Sequence, residues 1–166
     1  MPNWVRNTLE VIKGDAKEIF DFVRSDESVF DFNNLIPMPD SIENAKQMVV
    51  RQSGFEVPAW YAWSVDNWGT KWNACDAEYS TKDPGHAIWF DTPWEPPVPV
   101  FEALAQRFPA HEILIHSDEY MNHLHVTFTL KDGEIAWADD SCRCYDEYFS
   151  PLSIEEMKAL GIEDAP

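Results

Sequence analysis

"NWGTKWNA", Asn67 to Ala74, marks the point where the hydrophobic period of the chain changes. Before it, "VPAWYAWSVDNWG" (Val57 to Gly69) reads as a short helix with Pro58 in its first turn and Gly69 as its stop. After it, Trp72 to Tyr79 alternates, "TKDPG" turns and "HAIWFD" alternates again, the pattern of a β-hairpin. A helix that hands over to a hairpin needs a corner. Trp68 is expected to close the helix end, Gly69 to supply the turn, and Trp72 to enter the sheet facing the core, since tryptophans at such a junction bury large area. A second reading makes the stretch an aromatic platform for stacked bases, with Lys71 on a phosphate. The acidity of the chain argues against that, and the structural corner is the stronger reading.

Working outward toward the N-terminus, Val5, Leu9 and Val11 share one face of a strand and Arg6, Thr8 and Glu10 the other, with Gly14 at its end. Asp15 can cap a helix whose apolar residues Ala16, Ile19, Phe20 and Val23 recur at helical spacing. "FDFNNLIPMPDS" is expected to be a loop, because Pro37 and Pro39 force extended backbone. Ser41 starts a second helical pattern through Ile42, Ala45, Met48 and Val49.

Toward the C-terminus, the prolines of "PWEPPVPVFEALAQRF" end a strand, and Phe101, Leu104, Ala105 and Phe108 then form a helical stripe. "HEILIHSDEY" is the next strand. In "HLHVTFTL", Leu124, Val126, Phe128 and Leu130 point inward while His123, His125, Thr127 and Thr129 point outward. "KDGE" is a hairpin turn with Gly133 at positive φ, and "IAWAD" pairs back. A last short helix is expected from Ser153, with Glu156 completing a capping box. With the helical insertions set aside, βαββαβ remains: an α+β, ferredoxin-like antiparallel sheet with its two main helices on one face. The expected organisation is one domain over 1–166, with an insertion at 25–70 and a C-terminal extension at 120–166.

Composition bounds the function. A chain of 166 residues, 45% apolar and 14% aromatic, can bury a core without metal or disulfide staples. No apolar run approaches the ~20 residues of a membrane span, and "MPNWVRNTLE" lacks a signal-peptide layout. Three cysteines, Cys75, Cys142 and Cys144, fit a reducing cytoplasm. Thirty acidic residues against twelve basic ones give a net charge of −18, which repels nucleic acid and anionic membrane and attracts basic protein surfaces. From Ala110 to Pro166 thirteen carboxylates face only Lys131, Arg143 and Lys158, a net −10.

Other constellations are weaker. His123 and His125, with Cys142 and Cys144, could assemble a tetrahedral zinc site, but the pairs lack the C-x₂-C spacing of common zinc modules. Asp139, Asp140, Asp146 and Glu147 around the two cysteines disfavour a thiolate. The neighbours Asp118–Glu119 and Asp139–Asp140 point to opposite faces of a strand and do not chelate as they stand. No phosphate loop, nucleophile elbow or H-E-x-x-H is present, so no residue is assigned as catalytic and no cofactor is expected.

"MPNW", "FDFNNLIPMP" (30–39), "NWGTKWNA" (67–74) and "WFDTPWEPPVPVFEALAQRFP" (89–109) occur in that order. Together they resemble the YubB ferredoxin-like domain family carried by phages, prophages and conjugative plasmids. The resemblance covers about the first 110 residues and implies a ferredoxin-like fold and a mobile-element origin, with no established activity. It joins the charge to suggest a non-enzymatic acidic protein-binding module in the cytoplasm of a bacterial host. Such a module would inhibit a host defence or DNA-processing protein by occupying its basic nucleic-acid-binding surface, with Asp118, Glu119, Asp139, Asp140, Asp146 and Glu147 facing the partner. The alternative is a small zinc- or metal-dependent domain or enzyme using the His and Cys pairs.

Overall fold

A computed structural model describes residues 3–51, 53–82, 85–119 and 124–139. The first strand, β1 (Trp4–Lys13), buries Val5, Asn7, Leu9 and Val11 and turns Trp4, Arg6 and Glu10 away from the core. Helix α1 (Ala16–Val23) follows, its first turn capped by the Asp15 carboxylate, which accepts from the Lys17 N–H at 2.9 Å. Ala16, Ile19, Phe20 and Val23 are buried, as their spacing predicts.

The segment from 25 to 58 departs from expectation in two places. "FDFNNLIPMP" is more than a loop: Phe32–Asn34 forms a 3₁₀ turn capped by Asp31, and Phe30 and Phe32 lie fully buried against Phe90. The helical pattern from Ser41 yields only one turn, α2 (Asp40–Glu43), with no buried residue. Met48 and Val49 belong instead to β2 (Met48–Val50), which pairs antiparallel with β3 (Glu56–Pro58) in a small separate sheet. A four-residue helix without a buried stripe has little to hold it, whereas adjacent β-branched Val49 and Val50 favour the extended chain. Arg51 ties this arm back to the next helix by ion-pairing with Asp66 at 2.7 Å.

Helix α3 (Ala59–Trp68) begins after Pro58 and ends at Gly69, whose φ of 78° is left-handed. The hairpin of β4 (Cys75–Tyr79) and β5 (Ala87–Pro93) follows, then α4 (Val98–Arg107) and β6 (Glu112–Glu119). β7 (Leu124–Lys131) and β8 (Glu134–Asp139) join through Asp132 and Gly133, both at positive φ, a turn that matches strand twist.

Among the described residues the main sheet has six strands in the order β4-β5-β1-β6-β7-β8, every neighbouring pair antiparallel. β4, β5, β1 and β6 with α1 and α4 make the βαββαβ unit, and β7–β8 extend it beyond β6. The fold is ferredoxin-like. Leu9, Ile88, Phe90, Ile113, Ile115, Val126, Phe128 and Leu130 form one core with the buried stripes of α1 and α4. That burial sets the apolar stripes of α1 and α4 against one sheet face and leaves the other face uncovered by them. The expected last helix from Ser153 lies outside the described residues.

The core also encloses a polar strut. Asn7 Nδ2 donates to Thr92 Oγ1 at 3.0 Å and its Oδ1 accepts from Ser117 Oγ at 2.7 Å, so one buried amide links β5, β1 and β6. Buried groups paired this fully cost little and fix strand register.

Candidate binding site at the α3–β4 corner

The corner is built from four stretches far apart in sequence. Trp68 ends α3 with its ring buried, and its indole N–H donates to the Ile36 carbonyl at 2.9 Å. Thr70 is buried and donates to the Pro93 carbonyl at 2.9 Å. Asn73 Oδ1 accepts from the backbone N–H groups of Phe32 and Ala74, each at 2.8 Å, while its Nδ2 donates to Asp31 Oδ1 at 2.7 Å. Trp72 lies against Trp4, ring centroids 5.9 Å apart, and the Trp94 N–H donates to the Asn3 carbonyl at 2.8 Å. The stretches beginning at 3, 30, 67 and 89 therefore clasp one another here.

Trp72 corrects an expectation. It stands before β4, half-buried, outside the core cluster, so it lines the surface of the corner instead of entering the sheet. There the Lys71 ammonium lies 4.4 Å from the Trp72 ring centroid and 5.5 Å from those of Tyr61 and Trp94, cation–π contacts that a Trp72 ring turned into the core would forgo. Beside this box opens a cleft of about 340 Å³ lined by α3, the 33–43 segment and the corner itself, with Trp60, Trp68 and Trp72 among its walls. That volume is at the lower end of small-molecule sites.

The sheet face away from α1 and α4 carries a second set of polar groups. Arg6 makes a two-pronged contact with Asp91, at 2.6 and 3.0 Å, and its guanidinium stands 4.5 Å over the Trp89 ring. The hydrogen bond that Arg6 donates to this carboxylate raises the Arg6 pKa, with the charges of Asp91, Asp76 and Glu78 adding to it against the effect of burial. Next to it Asp118 Oδ1 lies in hydrogen-bond contact with His125 Nδ1 at 2.6 Å.

The carboxylates expected to face a partner are thus placed unequally. Glu119 is 3% exposed and turned into the molecule; Asp118 is half-buried and engaged with His125. Strand pleating separates these two neighbours, as the alternation predicts. Asp139 ends β8, paired with Val126. Asp140, Asp146 and Glu147 lie outside the described residues, as do His123, Cys142 and Cys144. Among the described residues no three His, Cys, Asp or Glu side chains come together as a metal site, and no helix is long and apolar enough to cross a membrane. Cys75 is a free thiol whose pKa is pushed up by burial and then by Asp76 and Asp91.

The topology and the corner define a ferredoxin-like α+β protein with an added hairpin. Residues 67–147 match the family described as the ferredoxin-like domain in Api92-like protein, a span that includes the region beyond residue 110. The solved structure of protein api92 from Yersinia pseudotuberculosis superposes with a TM-score of 0.50 at 19% identity, over 66% of this chain and 39% of its own. The chain spans well under half the length of that protein, and the likeness is one of fold. No curated protein matches the sequence.

Proposed function

We propose that this protein is a non-enzymatic binding module of a phage or plasmid that occupies the basic, nucleic-acid-binding surface of a host protein. The observation that carries the reading is the net charge of −18, which steers basic surfaces and repels nucleic acid itself. Asp15, Glu18, Asp26 and Glu27 stand exposed in and around α1, and Asp76 and Glu78 on the edge strand β4, so carboxylates are available well beyond the C-terminal third. Because Glu119 is buried and Asp118 is paired with His125, the C-terminal contribution rests on Asp139, Asp140, Asp146 and Glu147. The mobile-element setting, which the resemblance of the four motifs supports, and an anti-defence role in the bacterial cytoplasm are part of the same proposal.

The test is capture from host lysate at low and high salt, followed by association kinetics with the captured protein. Steering predicts a partner lost as ionic strength rises toward ~0.5 M, where the Debye length falls to about 4 Å. Asp139→Lys with Asp140→Lys changes the charge by +4 locally and should slow association several-fold at low salt. Equal rates for the reversed and original proteins at low salt would sink this face as the interface.

A further inference from the structure

We propose that the cleft at the α3–β4 corner binds a small, flat aromatic molecule carrying a single carboxylate. Three tryptophans line it: Trp68 is buried, while Trp60 and Trp72 are half-buried, Trp72 with Trp4 packed against it. Met38 adds a polarisable apolar contact. Such walls take a planar ring better than an aliphatic or heavily hydrated molecule, because stacking adds to burial.

The polar groups decide what the ring must carry. Most of those lining the cleft are already committed. The Trp68 indole N–H is bonded to Ile36, and the Asn73 amide is used at both ends. Asn33 Oδ1 accepts from the Met38 N–H at 2.9 Å, and Ser64 Oγ donates to the Trp60 carbonyl at 2.8 Å. Lys71 differs. Rings surround its ammonium, yet among the described residues no carboxylate lies within ion-pair distance of it, which leaves its charge to an anion in the cleft. Glu43, exposed at the rim, is the opposing charge. One cation and one carboxylate lining the cleft, in a protein of net charge −18, suit a monoanion and disfavour a dianion.

Three ligands that share one ring separate these contributions: 1-naphthylacetate, its neutral acetamide, and 1-naphthyl phosphate. Binding is read from the indole N–H signals of Trp60 and Trp72 in a nitrogen-15 NMR titration. The acetate is expected to bind about tenfold or more tightly than the acetamide, since a hydrogen bond to a charged group is worth roughly that. The phosphate should bind more weakly than the acetate, and Glu43→Gln should narrow that gap. Lys71→Met should bring the acetate down to the level of the acetamide, while Lys71→Arg retains the preference. If Lys71→Met fails to fold, the ligand series on the unaltered protein decides. Equal binding of acetate and acetamide overturns the proposal. So does an absence of movement in both indole signals at about 5 mM ligand, where a Kd near 1 mM would be largely saturated.

Discussion

A Cβ placed on Gly69 would stand 2.9 Å from Cδ of Pro99, where the end of α3 meets the start of α4. The glycine is also at φ 78°, where side chains are strained whatever the space. Gly69→Val should therefore destabilise the fold by on the order of 1–3 kcal/mol. Urea unfolding measures it; an unchanged midpoint would show that the corner relaxes freely.

Phe101 is fully buried on α4, its ring 5.2 Å from that of Phe128 on β7. Truncation opens a cavity between helix and sheet. Phe101→Ala should cost roughly 3–5 kcal/mol. A loss below about 1 kcal/mol would mean that neighbouring side chains collapse into the space.

The Asn7 strut predicts coupling between strands. Asn7→Ala leaves Ser117 and Thr92 without their shared partner and should cost about 1–3 kcal/mol. Ser117→Ala in the same chain should cost much less than it does alone, with a coupling energy of roughly 0.5–3 kcal/mol in a double-mutant cycle. Strict additivity would show that the three side chains act independently.

Cys75 should be a slow nucleophile. Burial, then Asp76 and Asp91, hold its pKa above the ordinary 9.0, so the thiolate is scarce at neutral pH. In a Cys142→Ser, Cys144→Ser background, iodoacetamide should alkylate the folded protein several-fold more slowly than the unfolded chain at pH 8. A raised folded-state pKa also fixes the sign of the stability effect. The contribution is complete below the unfolded value and is lost as pH climbs through the folded one. A folded protein that reacts as fast as the unfolded chain would contradict this environment.

How far the sequence spoke depends on whether a residue answers to its neighbours or to distant ones. The α1 stripe, the β7 alternation and the Asp132–Gly133 turn are governed locally, and each formed as its pattern implies. Ile42, Ala45, Met48 and Val49 carry a helical spacing too, but pairing with Glu56–Pro58 takes Met48 and Val49 into a strand instead. Phe30 and Phe32 were hidden by the prolines after them. Irregular backbone can enter a core only if its polar groups find partners, and for Phe32 that partner is Asn73, forty-one positions on. The cleft escapes a linear reading for the same reason. Lys71 and Trp72 stood out, but Glu43, Met38 and Trp60 join them only through the fold.

The strand order has a consequence for synthesis. β1 lies in the middle of the sheet, hydrogen-bonded to β5 and β6, and both partners come late: Leu9 pairs with Ile88 on one side and Ile115 on the other. At about 5–20 residues per second, a nascent chain carries β1 unpaired on both edges for several seconds before either partner has been made. During that time the Val5–Leu9–Val11 stripe and two open rows of backbone groups are available to any holdase or neighbouring chain. Folding in strict chain order is thereby closed to this sheet: β1 is enclosed only once both β5 and β6 have been made.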